Sequence, residues 1–307
     1  MRFLIISTVV TFLFSKSFGQ SLPVRQMDSK LIGKDSVLLY YDEHYKIIES
    51  GCASIIRYGH YNSLHKHLIG KFKDVSKNDT SFLISEGNYS DNGLKNGEFI
   101  IHYLNGDLQA KGDFKNDEYN GEWTFYYPNG HIREKSDFTD GHYSGIREIY
   151  NEDGSPNIFM RIIGNKCKIT DVWDVDGKKA VANGKGNYSF YDGTLTWGGN
   201  LLNGLPDSVW TFKISDEVYG SEVFENGKFL RGTNQNKFGE SSYKDKSRIT
   251  FVPTITIKLA ICNADKFIIG GDTSCDGVDY SKFQKWQTRI LDMTILSSLL
   301  TGSHWQK

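Results

Sequence analysis

Along most of this chain, apolar and polar residues alternate with a period of two, broken at short intervals by turn-forming pairs. Phe99, Ile101 and Tyr103 alternate with polar or smaller neighbours, and so do Trp123, Phe125 and Tyr127. Such alternation marks strands with one buried face. Each run ends in a turn dipeptide, Asn105-Gly106, Asn129-Gly130 or Asp153-Gly154. Glycine reaches positive φ without steric cost, and Asn or Asp tolerates it, so these pairs turn the chain back on itself. A second strand follows, as from His131 to Phe138, and ends at another polar turn around Asp140-Gly141. The pattern predicts consecutive β-hairpins.

The hairpins repeat. Segments beginning at Gly97, Gly121 and Gly145 superpose at a spacing of 24 residues. A second glycine, Gly106, Gly130 or Gly154, lies nine positions on in every copy. All six are read as structural turn glycines. The pattern decays outward, through Gly87-Asn88-Tyr89 and Asn92-Gly93 upstream and through Trp173 to Lys178 downstream. Gly199 to Gly204, Val209 to Phe212 and Glu225 to Lys228 carry further traces. Side-by-side addition would give an elongated antiparallel sheet in which Phe99 stacks on Trp123, and Ile101, Phe125 and Ile149 form a second ladder. The expected fold is all-β, with a short C-terminal strand-plus-helix segment.

The boundaries follow from composition. Residues 1–19 read as a signal peptide: Arg2, an apolar run from Phe3 to Phe14, then Ser17-Phe18-Gly19 before Gln20. Residues 20–80 are a β lead-in or cap and 81–232 the hairpin repeats. In 233–307, the polar stretch from Gly232 to Ser247 reads as a linker, Thr254 to Ile261 as a strand, and Ser281 to Leu300 as a helix. No later stretch has the roughly 20 apolar residues of a membrane helix. The net charge of −1, with 36 basic and 37 acidic residues interspersed, argues against a nucleic-acid surface. Four cysteines, Cys52, Cys167, Cys262 and Cys275, are compatible with disulfides in an exported protein, and the short Cys262–Cys275 separation makes that the favoured pair.

The Gly-Glu-Trp-x-Phe-Tyr-Tyr-x-Asn-Gly core at 121–130 resembles the MORN repeat variant of many bacterial exported proteins, some labelled antitoxin-like. Tyr40-Tyr41-Asp42-Glu43 with Ala53 to Tyr58 resembles the lead-in such proteins carry in Bacteroidetes. The likeness is specific over Gly97–Gly154, weaker out to Gly232, and spans about half the chain. Arg147 departs from it, standing where the other copies have an aromatic.

Catalytic signatures are missing: the sequence has no Gly-x-Ser-x-Gly, no His-Glu-x-x-His and no phosphate loop. His65 and His67 would share a strand face, as a metal site could use, but no further ligand stands near. Asp174-x-Asp176-Gly177 lacks the remaining calcium ligands and reads as a repeat turn. Cys275, in a Gly/Asp-rich loop, could be a reactive thiol or simply part of a disulfide. No cofactor is implied.

The expected role is a non-catalytic scaffold, exported to the periplasm or beyond, that binds another envelope or secreted protein. Its candidate binding face is the densest aromatic group, Trp123, Phe125, Tyr126 and Tyr127. The same residues could instead be the packing face of the repeat itself. A rival reading is envelope-polysaccharide binding along an aromatic strip. A third is an enzyme assembled around Cys275 or Asp272 and a distant histidine.

Overall fold

The computed structural model describes residues 30–31, 34–48, 50–164, 166–191, 194–214, 216–236, 239–249 and 259–266. The signal-peptide reading and the C-terminal helix fall outside them. Among the described residues, nineteen strands form one sheet. The first five are β1 (Lys30–Leu31), β2 (Ser36–Tyr41), β3 (Ile55–Asn62), β4 (His67–Ser76) and β5 (Leu83–Tyr89). The repeat region supplies β6 (Gly97–His102), β7 (Leu108–Lys115), β8 (Glu118–Tyr126), β9 (Ile132–Thr139), β10 (His142–Tyr150), β11 (Pro156–Ile163) and β12 (Lys166–Trp173). The rest are β13 (Lys179–Ala182), β14 (Lys185–Tyr191), β15 (Thr196–Leu202), β16 (Leu205–Ile214), β17 (Glu217–Glu225), β18 (Lys228–Asn236) and β19 (Gly239–Tyr243). Every strand pairs antiparallel with its successor, so the sheet is an uninterrupted meander.

Two kinds of turn alternate. Longer turns, closed by backbone bonds between Tyr103 and Asp107, Tyr127 and His131, Asn151 and Ser155, and Asp174 and Lys178, carry Gly106, Gly130, Gly154 and Gly177 at positive φ. At the other ends, tight pairs such as Asp140-Gly141 and Asn203-Gly204 have both residues at positive φ, the type I′ geometry that suits strand twist. Gly97, Gly121 and Gly145 are not in turns. They lie within strands β6, β8 and β10, also at positive φ, and the β9–β10 register shifts between Ser144 and Arg147. They serve as strand kinks, which a period-two reading cannot distinguish from turns.

One face of the sheet is the core. Phe99 and Trp123 are fully buried, as are Ile101, Phe125 and Ile149, so every expected ladder position faces the core. Equivalent residues of successive repeats lie two strands apart, however, and do not stack directly as expected. A further set at the same spacing interleaves with them. Phe114 lies 4.8 Å from Phe99 and 5.0 Å from Trp123, ring centre to ring centre, and Phe138 lies 4.6 Å from Tyr143. The aromatics need glycines opposite. A methyl group on Gly112 would sit 2.2 Å from the Trp123 ring, and one on Gly199 would sit 2.4 Å from Trp210. Each indole also donates its N–H to the carbonyl beside that glycine, Trp123 to Asp113 and Trp210 to Asn200, both at 2.8 Å. The same glycine–tryptophan lock thus closes both halves of the sheet. Gly112→Ala should cost about 1–3 kcal/mol through overpacking, read as a lower urea midpoint with unchanged slope.

The sheet thins at β13, only four residues long, which covers β12 at Val172 and Trp173 alone. Turn glycines fill the uncovered edge: Gly184 donates its N–H to the Thr170 carbonyl, and Ile169 donates to the carbonyl of Gly204. The sheet therefore coils here, bringing the β15–β16 turn onto β12.

Beyond β19 the chain returns over the core face as a strap. Ser247 and Arg248 bond the Glu222 carboxylate of β17, and Arg248 stands over Phe212. Further on, the Leu259 N–H bonds the hydroxyl of Tyr119 on β8. Ile261 and Ala264 are completely buried, and Tyr41 of β2 donates to the Ala264 carbonyl. Two expectations need correction. The polar stretch from Gly232 to Ser247 is not all linker, because β18 runs on to Asn236 and β19 follows. Ile261 does not end a strand: residues Ala260–Asn263 form a 3-10 turn, and residues 250–258 lie outside the described chain.

Candidate interaction surface

Of the four aromatics expected to bind a partner, Trp123, Phe125 and Tyr127 lie inside, at 0%, 1% and 7% exposure. Tyr127 also donates its hydroxyl to the Tyr150 carbonyl of the next repeat, as Tyr103 does to Tyr126. These three are core and inter-repeat locks, which corrects the binding-face assignment. The reason is parity: odd positions of this run face the strap side, and only Tyr126 points outward, half-exposed. An aromatic strip for sugars made of those residues disappears with them.

The core face also carries charge. Arg57 and Asp74, both at 0% exposure, make paired bonds of 2.7 Å, with the guanidinium 4.0 Å above the Phe72 ring. Tyr45 and Ser85 add hydroxyl donors to the same carboxylate, and the Tyr89 hydroxyl accepts from Arg57. The second pair explains the irregular third repeat. Arg147 stands 24 residues after Trp123, and it bonds Glu134 at 3.0 and 3.1 Å. Glu134 occupies the position of Ala110, and Ser136 that of Gly112. Ser136 donates to Glu134 at 2.6 Å. Three substitutions at consistent spacing have therefore converted an apolar lock into a polar one. Burial would raise the Glu134 carboxyl, but the Arg147 guanidinium and the Ser136 hydroxyl outweigh it and hold it below the usual range.

The outer face presents a different chemistry. In register across β6 to β12 run Ile100, Lys111, Thr124, Lys135, Glu148, Phe159 and Asp171, of mixed charge and partly exposed. Over β10–β12 this face turns aromatic. Tyr150 lies 5.5 Å from Phe159, and Phe159 lies 4.7 Å from Trp173, with Lys179 above the indole. All three are half-buried, and Ile146 and Ile163 flank them at 46% and 62% exposure. Period-two alternation places these residues outward. In sequence the three are dispersed over β10, β11 and β12, whereas Trp123 to Tyr127 form one dense run, so only the strand register brings them together.

The other candidate groups are also placed. His65 sits in the turn before β4 and His67 opens that strand, their rings stacked 5.8 Å apart, with His67 bonded to the Asp91 carbonyl. No cluster of His, Cys, Asp or Glu among the described residues could hold a metal. The Asp174 carboxylate accepts from the N–H groups of Asp176 and Lys178, which makes it a turn brace. Cys52 is disulfide-bonded, whereas Cys167 and Cys262 are free thiols, so the favoured Cys262–Cys275 pair does not form. Its short sequence separation was misleading: Cys262 turns inward on the strap, where the Tyr119 hydroxyl donates to its sulfur. Burial pushes the Cys167 thiol up to about 11 and raises Cys262, so neither is a ready nucleophile at neutral pH. Cys275 and Asp272 lie outside the described residues.

These hairpins now have a family counterpart. Residues 95–116 and 119–140 match the MORN repeat variant. The matched segments cover β6–β7 and all but the first residue of β8–β9, two hairpins with the Gly112–Trp123 lock between them. MORN repeats are a non-catalytic repeat type and generally serve as scaffolds for interactions with proteins or membranes. No helix among the described residues is long and apolar enough to cross a membrane. No curated protein matches the chain.

The strap gives the first test of how this surface is maintained. Ile261→Asp would place a carboxylate in a site with no exposure. Limited proteolysis should then cut between residues 244 and 259 about tenfold faster or more, with the hairpins intact by circular dichroism.

Proposed function

We propose that this chain is an exported, non-catalytic scaffold that holds another envelope or secreted protein against the outer face of its hairpin repeats. The observation that carries the reading is the Tyr150–Phe159–Trp173 cluster, which stands on the side of the sheet that the strap does not cover. Aromatics ringed by Arg161, Glu148 and Asp171 have the composition of interface hot spots, where Trp, Tyr and Arg dominate. The disulfide at Cys52 and the leader-like residues 1–19 support an oxidising compartment outside the cytoplasm. Support for a scaffold comes from the matched repeats and from two buried ion pairs, Arg57–Asp74 and Arg147–Glu134, that tie neighbouring strands together.

The test is mild crosslinking in the native host, followed by affinity purification of the wild-type chain and of a Phe159→Ser/Trp173→Ala variant. A defined partner recovered with the wild type and lost with the folded variant supports the reading. Equal recovery with both chains would place the interface elsewhere. Cell fractionation that finds the chain in the cytoplasm would refute the exported role.

A further inference from the structure

A cavity of about 410 Å³ opens at one end of the sheet, between the β4–β5 connection, the turn after β6 and the strap. Its walls are Ile55, Ile84, Ile101, Phe82 and Ile261. This is the size and apolar character of a small-molecule site. Its polar lining includes the uncharged groups of Ser54, Ser76, Asn78, Asn105 and Gln109, and its charged groups are of one sign. Glu43 and Asp79 line it, and no Lys or Arg does. Asp79 is exposed, and its Oδ1 is fixed by the N–H and hydroxyl of Ser81 at 2.9 and 2.7 Å. His102 also lines the cavity, and its Nδ1 is buried without a hydrogen-bond partner. Burial keeps this imidazole below its ordinary pKa against the pull of Glu86, and its other nitrogen donates to the Ile84 carbonyl. Nδ1 is therefore an acceptor. Tyr45 offers no competing donor, since its hydroxyl is committed to Asp74.

An apolar chamber supplied with two carboxylates and an imidazole acceptor, and with no cation, selects for charge as well as shape. Anionic ligands meet repulsion, and neutral ones leave the carboxylates unused. We propose that the cavity binds a small amphiphilic amine, its apolar body against Ile84 and Ile261 and its ammonium group toward Glu43 and Asp79. The site is separate from the outer aromatic cluster and does not depend on the scaffold role. Because Ile261 of the strap forms one wall, a bound amine also holds the strap in place.

Three probes sharing one apolar body separate the alternatives: phenylbutylamine, phenylbutanol and phenylbutanoate, titrated calorimetrically into the full chain. The amine should bind saturably, at one site, about tenfold or more tighter than the carboxylate. It should also slow proteolysis of the strap. Gln109→Trp, which fills the chamber from its partly exposed rim, should abolish binding. Glu43→Gln/Asp79→Asn, at positions outside the core, should keep the fold and equalise amine and alcohol. No saturable amine binding, a carboxylate that binds as well, or a discrimination that survives Glu43→Gln/Asp79→Asn would each overturn the assignment.

Discussion

Glu134→Ala should lower stability by about 3–5 kcal/mol, because it leaves the Arg147 guanidinium buried and unpaired. The same carboxylate removed together with its partners should cost far less. The triple change Glu134→Ala, Ser136→Gly and Arg147→Trp rebuilds, in the third repeat, the residues that stand 24 positions upstream at Ala110, Gly112 and Trp123. Recovery of most of the loss, measured by urea denaturation, would show that the polar lock is an exchangeable solution to one packing problem. A triple variant no better than Glu134→Ala would instead tie the third repeat to its charges. Acid should expose the same pair. The folded carboxyl is held below its unfolded value of about 4.3, so its contribution is complete above that pH and disappears as pH falls through the lower folded value. Glu134→Gln should therefore be less stable than wild type at neutral pH and show a flatter loss of stability below about pH 4.

Asp74→Asn should be comparably severe, at about 3–5 kcal/mol. It removes the anion from a site where Arg57 has no exposure and where the Tyr45 and Ser85 hydroxyls both donate to the lost charge. An amide can satisfy part of this geometry but cannot neutralise the guanidinium. Since the pair bridges β3 and β4, hydrogen exchange should speed up there before it does in β8 and β9. A uniform increase across all strands would mean that the sheet opens as one unit.

The fold was legible because it is built from local signals. Each turn dipeptide reverses the chain, each alternating run supplies one strand, and each strand pairs with the next, so no long-range pairing had to be guessed. Legibility failed where parity or distance decided the matter. Trp123 and Tyr126 differ by three positions, and that odd separation sends one inward and the other out. Gly121 and Gly130 look alike in sequence, yet one kinks a strand and the other closes a turn. The strap and the cavity join residues far apart in the chain, as Lys95 and Asp265 do at 2.8 Å, and period counting has no access to such pairs. The aromatic replaced by Arg147 was visible as an irregularity. Its compensation by Glu134 and Ser136 becomes readable only once the strands are in register.

The strap also acts as a ruler. From Ile249 near Glu222 to Leu259 at Tyr119, ten peptide steps reach about 36 Å at most, whereas nine strand spacings of a flat sheet, β8 to β17, measure about 43 Å. That tether suits a sheet curled toward it. Each hairpin inserted between the two anchor points would widen the gap by about 10 Å. Chains of this design that gain or lose repeats in that interval should change the length of the tether in step, so repeat number and tail length are expected to vary together.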